Sequence, residues 1–503
     1  MRSSLPGRPH AVAVAGLLLL LTPVVAVARS AREEATREFS RTVPMRSGQA
    51  LHVLHDQGDV VVRTHALAEA RVVAHIRVSA PSATEASAAV QQVVIEIQET
   101  PAVVSVRTRY PQDRGARSTS YAVDYEIVMP ETASLQARNS FGAFSASGLK
   151  ADSNVRTSHG RLSFTDGKGR QRLENSFGAV EVARNEGDVT IANQNGAVKV
   201  ADVQGALEVT NRFGSVEALR VRGGAVVVSS NGSVVITDAG APSRITNSFG
   251  AVEASLIRGD LTVANSNGTV NVRNVAGTAD LKTSFGALTF DDVGKGLVAV
   301  NSNGRVGGRK IGGSAEIRTS FGAVEVAQIQ GDARVTNSNG AVTLRDAAGA
   351  AYLKSSFGLV QAERVGGSLQ VENSNGAVRA ATVKGSATVR TSFGAVVLGG
   401  VEGPVVEVRN QNGAVEVAGA APRCTRIDLS TSFSAIRLRL PETGGYDITA
   451  RTSFGSIHSE LPITASGTLG GDSLSGRIGP GGCTVTLTGS NGSIEILRAG
   501  PAR

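Results

Sequence analysis

Residues 175–205 read NSFGAVEVARNEGDVTIANQNGAVKVADVQG, and the two halves say nearly the same thing eighteen residues apart. Each half opens on a turn glycine, Gly178 and then Gly196, followed two and four places on by Val180 and Val182 or by Val198 and Val200. A further apolar slot seven places on, filled by Val203, and a second glycine at nine, Gly187 or Gly205, continue the unit. Apolar residues at eleven and thirteen, such as Val189 and Ile191, complete it. Apolar pairs two residues apart describe strands, because successive strand side chains face opposite ways.

The spacing continues far beyond this stretch, with a turn glycine at Gly142, at Gly160 and at every eighteenth residue up to Gly394. A fixed period of this size marks an array in which each repeat is covered by its neighbours. Two short strands per eighteen residues, each closed by a glycine turn, make one coil of an all-β parallel β-helix, or β-solenoid. Its hydrogen bonds run between coils stacked about 4.8 Å apart. About twenty coils between Gly142 and Gly492 would build a rod on the order of 90 Å long. Composition agrees. Among 503 residues there are 59 Gly and no Trp, and aromatics are 4%, too little bulk for large globular cores, whereas the 41% hydrophobic content is mostly small or β-branched and suits a thin core.

Two further columns follow the period. Three residues before each turn glycine stands Asn, Thr or Ser, as at Asn139, Thr157, Asn175 and Asn193, which fits a ladder of side chains bonded to turn backbone and to its own copies in adjacent coils. Directly before the glycine, aromatic and amide alternate: Phe177, Asn195, Phe213, Asn231, Phe249, Asn267, Phe285, Asn303, Phe321, Asn339, Phe357, Asn375, Phe393 and Asn412. The full unit is therefore a double coil of 36 residues. By strand parity these rings fall with the inward residues, so the expectation is that Phe caps the edge of the core while Asn takes a tight turn. The competing account exposes Phe177, Phe213, Phe249, Phe285, Phe321, Phe357 and Phe393 as a surface-binding column about 9.6 Å apart, able to meet sugar rings or apolar surfaces.

The stretch VDYEIVMPETASLQARNSFGAFSASGL (residues 123–149), the repeated Asn-x-Asn-Gly-x-Val turns and the closing LTGSNGSIEIL (residues 487–497) resemble the bacterial "putative adhesin" domain family. The resemblance covers nearly all of the chain after residue 28 and implies an exported β-solenoid of undefined role. It supplies no binding residues, and the strict Phe/Asn alternation departs from the plainer family pattern.

The remaining organisation follows. Residues 1–28 read as a signal peptide, with Arg2 and Arg8, an apolar stretch from Ala11 to Leu21, and a cleavage site after Ala28. No transmembrane segment is expected after cleavage. Residues 29–50 read as a flexible leader, 51–138 as a β-rich cap with one helix at 82–92, and 139–413 as the regular solenoid. Residues 414–503 read as looser C-terminal coils in which Ser434, Gly455 and Gly476 take the turn slot. Cys424 and Cys483 would lie about three coils apart, beyond disulfide reach unless a loop doubles back.

The net charge is +8, two of it from Arg2 and Arg8 of the expected signal peptide, and it is spread without a basic block. That favours attraction to a polysaccharide or an anionic cell envelope over nucleic acid. His52 and His55 face opposite ways on a strand, a poor metal pair. Asp188, Asp260 and Asp332 share one slot but recur four coils apart, about 19 Å, too far to cooperate in hydrolysis. No catalytic, cofactor or metal residue is assigned. The sequence points to an exported, non-enzymatic, adhesin-like binding or scaffolding rod at the cell envelope or surface. The alternatives are a passive spacer or a carbohydrate-active β-helix enzyme.

Overall fold

The structure, a computed structural model, describes residues 32–111, 119–240, 242–420, 423–466 and 470–499. The expected signal peptide lies outside the described residues. The chain is nearly all β, 69% strand and 2% helix, and forms a parallel β-solenoid of about 17 turns spaced about 18 residues apart. Each regular coil gives one strand to each of two sheets, as Gln171–Phe177 and Val180–Asn185 do. Strands of successive coils pair parallel and in register, Val180 with Val198 and Leu173 with Ile191. Between the sheets lies one continuous core of Val, Leu, Ile and Ala.

The apolar residue seven places after the turn glycine breaks simple alternation, and the backbone explains it. The residue before it adopts a left-handed conformation in every regular coil from Asp166 to Thr382, with φ between 53 and 64°. This local kink turns the next side chain inward, so Val203, Val221 and Ile257 are buried. None of these kinked positions is glycine. Asp and Arg recur there and pair across coils, as Arg184 with Asp166 (2.6 Å) and Arg220 with Asp202 (2.6 Å).

The Asn/Thr/Ser ladder is buried, and its bonding is chiefly to turn backbone. Asn175 Nδ2 donates to the carbonyls of Gly178 and of Gly160 in the preceding coil, each at 3.1 Å. Links between ladder side chains also occur, such as Thr157 to Asn175 (2.8 Å). The ladder runs on into the N-terminal cap, where His55 aligns with Asn139. There His55 is buried, its Nδ1 3.1 Å from Thr108 Oγ1, and that oxygen lies 2.7 Å from the Tyr125 hydroxyl. Burial holds the imidazole down at a pKa of about 4. His52 is on the opposite, outward face, as alternation required.

Both ends of the solenoid are interleaved. The coil Ala50–Gln57 with Val60–His65 is not outermost: Val103–Arg109 and Ser120–Pro130 stack on its outer side, and Leu135–Phe141 and Phe144–Ser147 on its inner side. At the other end Cys483–Asn491 inserts between Arg426–Phe433 and Tyr446–Arg451. Antiparallel strands extend both sheets at the N-terminal end and one sheet at the C-terminal end, where the other sheet finishes on the short parallel strand Ile457–Ser459.

These ends correct three expectations. Residues expected as a flexible leader include a strand, Glu33–Pro44, whose alternating pattern lets it pair along its full length with Glu69–Ala80. Gly476 does not hold a turn slot but lies in an antiparallel strand opposite Ile448. Cys424 and Cys483 form a disulfide, with Cα atoms 5.3 Å apart, because the inserted strand brings Thr484 beside Arg426. Sequence separation overstated spatial separation here, and for the same reason the regular run is about 17 turns and not about twenty. The expected helix is present as Ala83–Gln92, capped by Ser82.

Candidate functional site

The column before the turn glycine lies outside the core, which corrects the parity expectation. Ten phenylalanines, from Phe141 to Phe454, are between 47 and 78% exposed, Phe177, Phe213, Phe249, Phe285, Phe321, Phe357 and Phe393 among them. The reason is the corner itself. Asn175, two residues earlier, already fills the inside of the bend with its amide bonded to both glycine carbonyls, so the chain carries Phe177 round the outside. The turn then leaves along Gly178, whose φ of 133° and contact with the Gly160 carbonyl exclude a side chain.

Small residues flank most of the rings, Arg212 before Phe213 and Leu359 after Phe357-Gly358 being exceptions. Ser176 precedes Phe177 and Gly178-Ala179 follow it, all half-buried, so the ring stands proud of its surroundings. The alternating Asn folds back onto the coil behind it. Asn195 Nδ2 donates to Ser176 O at 3.4 Å, Asn231 to Arg212 O at 3.3 Å, and Asn267 to Ser248 O at 3.4 Å. With Asn303 and Asn339, which bond back in the same way, these residues floor slots between rings about 9.6 Å apart.

The alternation survives where the sequence breaks it. Read along the chain, Phe433 is followed by Phe454 and only later by Asn491; in space Asn491 pairs with both, so the order becomes Phe433, Asn491, Phe454. At the other end Gln57 aligns with Phe141, and His159 stands between Phe141 and Phe177. His159 fills its slot with a ring, stacked 4.6 Å from Phe141 and 4.9 Å from Phe177 with planes within 13° of parallel.

The acidic residues weighed for hydrolysis bind backbone. Asp188 accepts from Ala206 N, Asp260 from Thr278 N and Asp332 from Ala350 N, each at 2.8 Å across one coil. The amide of Thr278 holds the Asp260 carboxyl below the usual carboxylate range. An open groove of about 870 Å³ follows the left-handed column from Asp292 to Lys384. Its two carboxylates, Asp292 and Asp346, stand three coils apart, about 14 Å, and Asp346 is paired with Arg364. Among the described residues no group of three or more His, Cys, Asp or Glu is placed to hold a metal ion, and no helix is long and apolar enough to cross a membrane.

No protein-family model matches the sequence, and no curated protein matches it. Solved structures with some likeness include a "putative cell adhesion protein" from Clostridium sporogenes, 12% identical, covering 35% of this chain and all of that one, with a TM-score of 0.23. Another is a "putative lipid binding protein" from Parabacteroides distasonis, 13% identical, covering 57% of this chain and 96% of that one, with a TM-score of 0.18. At these scores neither bears on what this chain binds.

Proposed function

We propose that the protein is an exported, adhesin-like rod that works by binding, without a chemical step, and that the phenylalanine column is its working surface. One observation carries the reading: ten half-exposed rings stand in a single line, alternating with polar residues even where interleaved ends disturb the sequence order. Folding alone gives no reason for this. A ring outside the corner buries only about half its surface, and a smaller residue would close the same turn, as Asn does in alternate coils. Contiguous exposed apolar surface marks interaction sites, and a uniform column favours many weak contacts over one deep pocket. The carboxylates engaged with backbone amides support a role without hydrolysis.

An envelope or acidic polysaccharide partner suits the thinly spread positive charge. The test compares versions of four, eight and fourteen coils, each keeping both ends, for retention on cell-envelope material or acidic glycan. Retention should rise steeply with coil number and fall when column phenylalanines become serine. Retention that is absent throughout, or independent of coil number, would leave only a spacer.

A further inference from the structure

We infer that two copies of this chain pair antiparallel through the column, the phenylalanines of each entering the asparagine slots of the other. The inference deepens the binding-rod reading by naming one partner, a second copy. Its first support is His159. The slot between Phe141 and Phe177 holds one flat ring, stacked at 4.6 and 4.9 Å, which shows that a two-coil gap accepts a single aromatic. In the slots of Asn195, Asn231, Asn267, Asn303 and Asn339 the amide is bonded back to its own solenoid, which leaves the space above it to a ring from outside.

The second support is the period. Rings entering successive slots must themselves be about 9.6 Å apart along a line of comparable length, and a second copy has that spacing by construction. Its geometry also closes. A twofold axis perpendicular to the column, placed midway between a phenylalanine and its neighbouring asparagine, reverses one column on the other and sets every ring opposite an amide. Such an arrangement is isologous and stops at two copies. A parallel pair would need a shift of one coil and would not close.

The third support is the register that His159 imposes. Because that slot is already filled, the overlap that avoids it runs from Asn195 to Phe454, with the axis between Phe321 and Asn339. Phe321 then faces Asn339 of the second copy, Phe213 faces Asn491, and Asn195 faces Phe454. Within the overlap eight rings per copy meet eight asparagines, and Phe141 and Phe177, which flank the filled His159 slot, stay outside it. A half-exposed ring offers about 100 Å², so eight from each copy bury on the order of 1,600 Å² together, the size of a standard stable interface.

The test uses the chain from residue 29 onward. Sedimentation velocity should give twice the chain mass. Spin labels on a cysteine at Ser338 should lie close across the pair, and those at Ser158 should lie about 90 Å apart, whereas a parallel pair brings both close. The deciding variant fills slots without removing apolar surface: Asn267→Phe, Asn303→Phe and Asn339→Phe together, with circular dichroism confirming the fold. Slot pairing predicts at least a hundredfold weaker dimerisation. Unchanged or tighter association would overturn it in favour of unspecific apolar contact, and so would a monomeric parent chain. Retention on envelope material, measured on the same proteins, separates the two readings: a monomer that is still retained through its rings ends the pairing and keeps the binding rod.

Discussion

Replacing Gly322 by Ala tests the stacking of coils most directly. The residue sits at φ 122°, and a methyl there would lie 2.6 Å from the carbonyl carbon of Gly304 and closer still to its oxygen. Both opposing atoms are backbone, so no side chain can swing away. Holding a non-glycine residue in this region costs about 1–3 kcal/mol. Moving the coils apart would also weaken the bonds from Gly304 N to Phe321 O (2.8 Å) and from Gly322 N to Asn339 O (2.9 Å), at about 1 kcal/mol each. The expected cost is about 3–5 kcal/mol, confined to neighbouring coils because each coil touches only those beside it. Native-state hydrogen exchange should show it as lost protection over residues 297–345, with residues 180–214 unaffected. Ser320→Ala, an exposed change one residue before the ring, should stay within about 0.5 kcal/mol of the parent. If Gly322→Ala leaves protection over 297–345 equally unchanged, the close approach of successive turns is not what fixes glycine there.

His55 has a folded pKa of about 4 against 6.5 for the free side chain, so the unfolded state binds the extra proton. Stability is full above pH 6.5 and falls by up to about 3 kcal/mol as the pH drops towards 4; exchange from 50–57 and 103–109 should record this, and His55→Asn should flatten it. The Cys424–Cys483 bridge closes a loop of 59 residues, so the double serine variant should loosen the C-terminal coils by up to about 4 kcal/mol on a chain-entropy estimate, read as protease sensitivity near 441–482. Deleting residues 178–195 should leave a folded rod shortened by about 4.8 Å, since Phe177 would then meet Phe213 outside the core; loss of the β signal in circular dichroism would show that the rings are needed inside.

The eighteen-residue period was legible because stacking repeats one environment, so inward slots such as those of Val180, Val182 and Val189 are apolar in most coils, with buried Ser153, Gln171 and Ser243 as exceptions in the third. The ladder was legible for a related reason: Asn175 repeats because each turn presents the same two carbonyls. What misled was parity carried through a corner. Alternation holds along a strand, but between Asn175 and Phe177 the chain bends, and the ring leaves the side that counting assigns to it. The left-handed residues were invisible for a different reason. Glycine announces positive φ in sequence, but Asp202, Arg220 and Leu256 do not, and their only trace was the odd seventh apolar position. The interleaved ends were hidden because pairing between residues far apart in sequence leaves no local pattern. The close approach of Cys424 to Cys483 depends on where Cys483–Asn491 inserts, not on how many residues intervene.

The two periods of this chain do different work, and the difference separates fold from surface. Core, turn glycines and backbone ladder all repeat every eighteen residues, which is the interval that stacking demands. The aromatic column repeats every thirty-six, which stacking does not demand, because Phe177 and Asn195 occupy equivalent corners and both close the turn. A fold satisfied by one coil thus carries a surface defined by two. At the C-terminal end the distinction becomes sharper. Phe433 and Phe454 are consecutive in the sequence column, and simple continuation of the coil would bring their rings together; insertion of the strand ending in Asn491 sets an amide between them. The spacing of rings is therefore kept in space at the one place where the chain order would have lost it. A column valued only for apolar exposure would gain from adjacent rings; one that depends on gaps of ring width would not.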